Sequence, residues 1–125
     1  MNPVVLDAGA LIALERRNAR MLALVKEMVD GRCQAYAPAG VVAQVWRGSP
    51  RQHALVRVLK SGVVRVDSMT DDVAFQVGLL LAGSGTSDVV DGHVVLLARR
   101  TRGVVVTSDP HDIEALDPEL AVVAV

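Results

Sequence analysis

Aromatic residues are scarce in this sequence: one Trp, one Tyr and one Phe among 125 residues. The hydrophobic residues, 51% of the chain, are therefore mainly Val, Ala and Leu. An interior of small aliphatic side chains is typical of a parallel sheet that is covered by helices. The length fits a single domain, residues 1–125, which is large enough to bury a hydrophobic core.

Cysteine is represented by Cys33 alone, which excludes an intrachain disulfide and a thiolate metal site. No apolar run approaches the roughly 18–20 residues that a membrane-spanning helix needs. The first residues lack the basic leader of a secretory signal, and Asp7 would interrupt its apolar core. We therefore expect a cytoplasmic protein with no membrane partner.

Neither sign of charge is in large excess, since the formal net charge is −1. Composition alone therefore neither demands nor excludes a nucleic-acid partner. The charges are nevertheless segregated: five Lys or Arg and no acid lie between positions 47 and 65, and five acids and no base lie between 67 and 91. This pattern is consistent either with a basic rim beside an acidic pocket or with two solvated helix faces.

Short Val-rich runs alternate with helical patterns along the whole chain. We expect strands at 3–6, 34–37, 63–66, 103–107 and 120–123. We expect helices at 9–17, 20–29, 40–47, 52–60, 71–82, 89–102 and 112–116. This alternation predicts a doubly wound α/β sheet.

Several aspartates lie where the expected strands end. Asp7 ends the first strand, Asp109 follows the fourth, and Asp88 and Asp91 open the helix that leads into the fourth. Each could be a helix cap or a turn residue. In open parallel sheets, however, ligands bind at this edge, where the chain order reverses. Carboxylates that converge there raise one another's pKa, and a divalent cation removes that penalty. Ligands that are all oxygen atoms favour Mg²⁺ or Mn²⁺.

Four segments, taken in order, resemble the PIN domain, and specifically the VapC-type toxins of bacterial toxin–antitoxin pairs. They are VVLDAGALIALE, GVVAQVWRG, SDVVDGHVVLLA and VVVTSDPHDIEAL. The resemblance extends over almost the whole chain and implies a three-layer α/β/α sandwich with a central, mostly parallel sheet. It also implies a metal-dependent endoribonuclease, a homodimer, and a VapB-like antitoxin that plugs the acidic cleft.

Carried over by position, the resemblance assigns the site to four aspartates and a threonine. Asp7, Asp91 and Asp109 match the acids of the family, and Asp88 matches an additional acid that many members have. Thr107 matches a hydroxyl residue that supports the site. The four aspartates are therefore the expected ligands of Mg²⁺ or Mn²⁺.

Gln44 departs from the family pattern, which has glutamate at this position. An amide oxygen can bind a metal, but it cannot act as a general base, and general acid–base assistance is typically worth about 10²–10⁴-fold. Three explanations stay open: an engineered inactivating change, a natural loss of activity, or a site in which Asp88 replaces the glutamate. The alternative function is a catalytically inactive PIN-fold module that binds RNA or protein.

Basic residues are expected to contact the RNA phosphates. The candidates are Arg47, Arg51, Arg57 and Lys60, with Arg65, Arg99, Arg100 and Arg102 as further possibilities. His93 is expected to be a structural or surface residue rather than a metal ligand.

A signalling receiver domain is a different class of doubly wound protein with an acidic Mg²⁺ pocket. It requires an acidic pair near the first strand, a phosphoacceptor after the third and a Lys after the last. Here Asp7 has no acidic neighbour, Asp67 is only a candidate acceptor, and no Lys follows Lys60. The sequence therefore disfavours this class.

Overall fold

The computed structural model describes residues 1–125 and contains five strands and seven α-helices. The strands are β1 (Val4–Leu6), β2 (Ala35–Pro38), β3 (Val64–Asp67), β4 (Val104–Thr107) and β5 (Val122–Ala124). The helices are α1 (Ala8–Glu15), α2 (Ala19–Val29), α3 (Ala39–Val45), α4 (His53–Lys60), α5 (Asp71–Leu81), α6 (Val89–Thr101) and α7 (Pro110–Leu116). All the expected elements are present, and a short 3₁₀ helix, Pro50–Gln52, precedes α4.

Predicted boundaries differ from the observed ones by up to two residues, at α1 and β5 as well as at α3 and α7. The helix expected at 40–47 ends at Val45, because Trp46 adopts an extended backbone conformation with φ −67° and ψ 126°. Arg47 therefore lies beyond the helix. The helix expected at 112–116 begins earlier, at Pro110, because proline is compatible with the first turn of a helix.

The five strands form one sheet in the order β3-β2-β1-β4-β5, and every pair is parallel. This confirms the predicted doubly wound sheet. From β1 the chain adds strands on one side and then crosses to β4 and β5 on the other, so the order reverses between β1 and β4. The order also differs from the flavodoxin-like 2-1-3-4-5 order of receiver domains, in agreement with the expectation from sequence.

Two helical layers enclose the sheet and complete the expected three-layer sandwich. In one layer α1 packs against α2, α3 and α4, and in the other α6 packs against α5 and α7. The central strands are almost free of solvent contact: Val5, Leu6 and Val105 are fully buried. No helix combines the length and the apolar character that a membrane crossing requires.

Candidate functional site

The carboxyl ends of β1 and β4 bring residues from opposite ends of the chain together. Leu6 pairs with Val106, and the Asp7 N–H donates a hydrogen bond to the Val106 carbonyl at 3.2 Å. Thr107 is fully buried at the end of β4, and its hydroxyl oxygen accepts a hydrogen bond from the Asp109 N–H at 2.9 Å. The structure therefore places Asp7 and Asp109 at the switch point, as the sequence predicts.

Gly9 allows the two segments at this edge to approach each other closely. A Cβ atom at Gly9 would lie 2.0 Å from the Ser108 Oγ and 2.8 Å from the Ser108 backbone nitrogen. Both distances are far below van der Waals contact, so a larger residue would push apart α1 and the loop after β4. The absence of a side chain at this position therefore serves the packing between the Asp7 and Asp109 segments.

Asp7 combines a structural role with an unfavourable charge. Its carboxylate caps α1 by accepting a hydrogen bond from the Ala10 N–H at 3.0 Å, which is the expected behaviour of an N-cap aspartate. Burial nevertheless raises the pKa of Asp7, and the nearby Asp109 charge acts in the same direction. Hydrogen bonds from the Thr107 hydroxyl and the backbone only partly offset this rise.

Asp88 and Asp91 occupy the first turn of α6. The Asp88 carboxylate caps the helix by accepting a hydrogen bond from the Asp91 N–H at 3.0 Å. Burial, followed by the charges of Asp88, Asp112 and Asp7, raises the pKa of Asp91 to about 6. The Asp7 charge therefore acts on Asp91, which couples the first turn of α6 electrostatically to the end of β1.

Asp112 belongs to the same acidic region, although it is absent from the set predicted from the sequence. The Asp109 charge is the main cause that raises the pKa of the exposed Asp112 carboxyl, and Asp88 contributes as well. The i, i+3 spacing that marks Asp88 and Asp91 is repeated by Asp109 and Asp112 in "DPHD". This repeat is the sequence signal that indicates Asp112. It is missed when the helix is predicted to begin at residue 112, because Asp109 and Asp112 then do not flank its first turn.

Solved structures with the same fold cover almost the whole chain. A structure of FitAB bound to an IR36 DNA fragment is 20% identical, with a TM-score of 0.63, and the match covers 97% of this chain and 94% of that one. PAE2754 from Pyrobaculum aerophilum is 19% identical, with a TM-score of 0.64 and coverage of 97% and 90%. FitAcB from Neisseria gonorrhoeae is 20% identical, with a TM-score of 0.62 and coverage of 95% of both chains. The chain has the PIN-domain fold. No protein-family model and no curated protein matches the sequence.

Five aspartates near the carboxyl ends of β1 and β4 and in the first turns of α6 and α7 form no ion pair within the protein. The acidic edge, as we name it, consists of these five carboxylates: Asp7, Asp88, Asp91, Asp109 and Asp112. Carboxylate oxygens of this kind suit Mg²⁺, which commonly binds through one or two carboxylates and keeps several waters. No three His, Cys, Asp or Glu side chains lie close enough to hold a metal as they stand, so ligation by this set stays a prediction.

The predicted RNA-binding residues do not share one cavity, and the cavity that Gln44 lines contains none of the aspartates. Gln44 is exposed near the end of α3, and it lines a cavity with Arg47, Arg51 and Arg16 that none of the aspartates lines. Arg57 lines a separate cavity. No pattern in the sequence indicates Arg16, because only the packing of α1 beside α3 brings it here.

Proposed function

We propose that this chain is a Mg²⁺- or Mn²⁺-dependent endoribonuclease toxin of the VapC type, which hydrolyses RNA phosphodiester bonds and is neutralised by a cognate VapB-like antitoxin. The observation that carries the proposal is the acidic edge at the switch point of the sheet, where five aspartates have no basic side chain as an ion-pair partner. The fold likeness to FitAB and FitAcB supports a PIN toxin. The proposal includes a homodimer, because the sequence resemblance implies one.

Each residue of the site has a role in this proposal. Asp7, Asp91 and Asp109, with Asp88, would hold one or two divalent ions. When bound, such an ion supplies activation of a water molecule for in-line attack on the phosphodiester and neutralises charge on the leaving oxygen. Burial and the neighbouring acids raise the pKa of Asp91 to about 6, and a divalent ion would lower it again by favouring the carboxylate, so Asp91 would serve as a ligand. Thr107 fixes the Asp109 backbone. The expected products carry a 5′-phosphate and a 3′-hydroxyl.

The same charge pattern favours inhibition by a basic partner. Five carboxylates that lack a cation would gain a counter-charge from an arginine or lysine inserted by an antitoxin. Such a side chain would also occupy the place of the divalent ion. The antitoxin and the metal are therefore expected to compete.

The proposal is tested by an RNA cleavage assay with added Mg²⁺ or Mn²⁺ and with EDTA. We expect cleavage only with the metal, and we expect Asp7→Asn to reduce it by about 10²-fold or more. Asp30→Asn is the matched control, because Asp30 is exposed and its only ion-pair partner is Arg32 at 4.0 Å. Cleavage that persists in EDTA, or equal losses in both variants, would contradict the proposal.

Gln44 favours a second candidate, a PIN-fold module that binds RNA or protein without cutting. A comparison of this chain with Gln44→Glu in the same assay separates the two functions. Cleavage only by the variant would identify the glutamine as an inactivating change. Equal cleavage by both would show that a carboxylate at position 44 is dispensable. RNA binding without cleavage in both would favour the module.

A further inference from the structure

A polar cavity of about 480 Å³ lies between the end of α1 and the segment that follows α3. We call it the arginine pocket. The polar and charged residues that define it are Glu15, Arg16, Gln44, Arg47, Ser49 and Arg51. None of the aspartates of the acidic edge lines it, so it is a separate site.

The arginine pocket carries an excess of positive charge that the protein does not neutralise. Three arginines face one glutamate, and none of these four side chains takes part in an ion pair. The arginines that do form ion pairs are Arg32, Arg99 and Arg100. Guanidinium groups bind phosphate through paired hydrogen bonds, so a phosphate group is the anion that this lining fits best.

The segment around Arg47 is held in place before any ligand arrives. The Arg47 guanidinium donates to the carbonyls of Ala43 at 2.8 Å and Trp46 at 2.7 Å. Beneath it the buried Gln52 amide accepts from the Arg47 N–H at 2.9 Å and donates to the Val45 carbonyl at 2.8 Å. These contacts reduce the ordering cost of binding at this wall of the pocket.

A second cavity adjoins the arginine pocket and reaches residues that are neighbours in sequence of the acidic edge. This cavity, of about 360 Å³, shares Ile12 and Arg16 with the arginine pocket and extends to Gly9 and Ser108. Gly9 and Ser108 lie close to the Asp7 and Asp109 positions in the chain. Asp7 and Arg16 are about 13 Å apart along the α1 axis at the rise of an α-helix. This separation is one that a few nucleotides of a single strand can span.

We propose that the arginine pocket binds a backbone phosphate of the same RNA strand whose scissile phosphodiester lies at the acidic edge, a few nucleotides away. This inference rests on the proposed function and adds a phosphate subsite to it. It also gives Gln44 a role: its amide donates hydrogen bonds to phosphate, whereas a carboxylate only accepts them. A glutamate at position 44 would place a second acid among the three arginines and weaken the subsite.

The test is the affinity for a labelled single-stranded RNA, measured by fluorescence anisotropy in EDTA over a range of salt concentrations. Binding in EDTA requires neither a metal nor cleavage, so failure of the proposed catalytic activity leaves this experiment interpretable. For the Arg16→Ala, Arg51→Ala double variant we expect binding to weaken by roughly tenfold or more. The slope of log affinity against log salt should fall by about 0.7, because the variant neutralises one RNA phosphate fewer.

The Lys26→Ala, Arg32→Ala double variant is the matched control, because it removes two exposed basic residues that lie outside the arginine pocket and outside the predicted RNA-binding set. A reduction in its affinity as large as that of the Arg16→Ala, Arg51→Ala variant would overturn the proposal in favour of nonspecific attraction. If the Arg16→Ala, Arg51→Ala variant does not fold, Arg51→Ala replaces it, since the Arg51 guanidinium makes no hydrogen bond or ion pair within the protein.

Gln44 provides an independent arm of the same experiment. We expect Gln44→Glu to weaken RNA binding in EDTA severalfold and Gln44→Ala to weaken it less, because only the first adds a negative charge. Unchanged or tighter binding by Gln44→Glu would overturn the role proposed for the amide.

Discussion

Aspartates lie near both ends of α6, but only those near its C-terminal end have basic partners. At the C-terminal end, Arg99 lies 2.7 Å from the Asp117 carboxylate and Arg100 lies 2.6 Å from the Asp67 carboxylate. Burial alone would raise the pKa of Asp117, but the Arg99 hydrogen bond and charge, with the Glu119 N–H, hold it below its ordinary value. At the N-terminal end the causes acting on Asp91 are burial and other acids, and all raise its pKa.

His93, in the N-terminal half of α6, gives Asp67 a second basic partner. The ring is buried with only 1% exposure, and its Nε2 lies 2.8 Å from the second Asp67 carboxylate oxygen. Asp67 thus joins β3 to α6 through two basic side chains. The difference between the ends shows that partners, rather than residue type, separate a structural aspartate from a candidate functional one.

Removal of Asp67 should have the largest effect on stability. We expect Asp67→Ala to lower the free energy of unfolding by about 2–3 kcal/mol, because it leaves the buried His93 without its Nε2 partner. Urea denaturation measures the change. The exposed Asp30 provides the control, and Asp30→Ala should change stability by less than about 0.5 kcal/mol. Equal effects would mean that the contact with His93 and Arg100 adds nothing to stability.

Neutralising Asp91 should have the opposite sign. We expect Asp91→Asn to raise the free energy of unfolding by about 1–2 kcal/mol above pH 6, a value reduced from the full pKa shift because the site is partly solvated. The native carboxyl binds its proton more tightly than the unfolded one. Stability of the unchanged chain therefore falls as pH rises from about 4 to about 6. The advantage of the variant appears over that same interval, and thermal melts across pH measure it.

The same variant tests for the metal. Mg²⁺ should stabilise the unchanged chain, because a ligand that binds the native state adds to stability, and it should stabilise Asp91→Asn less. Asp30→Asn is again the control. Lower stability of Asp91→Asn at pH 7.5 in EDTA would contradict the interpretation of the acidic edge as electrostatically strained.

The smallest expected effect on stability concerns Arg102, the residue at which α6 ends. Arg102 terminates α6 in the left-handed conformation with φ 55°, which costs energy for a residue that has a Cβ. Arg102→Gly should stabilise the protein by about 0.5–1 kcal/mol in urea denaturation. Arg17, with φ 59°, is the other such position, and Arg17→Gly should show a similar gain. A decrease in stability in both variants would refute this account.

The sequence predicts most of the fold because its signals are local. Val-rich runs alternate with helical patterns, and the rule for parallel sheets then places Asp7 and Asp109 at one edge without knowledge of the packing. The contacts of Asp67 and Gln44, in contrast, do not follow from local sequence signals. Asp67 meets His93 and Arg100 only after β3 pairs and α6 packs. Gln44 joins Arg16 only after α1 lies against α3. Such pairings depend on tertiary contacts that no local pattern encodes.

The parallel pairing of β1 with β4 has a consequence for synthesis of the protein. The segment that carries Asp7 leaves the ribosome long before its partner strand at Val104–Thr107 and before Asp109. The nascent chain therefore lacks an assembled acidic edge until β4 and Asp109 have emerged. Fragments released by premature termination before β4 would be harmless to cellular RNA if the proposed activity is correct.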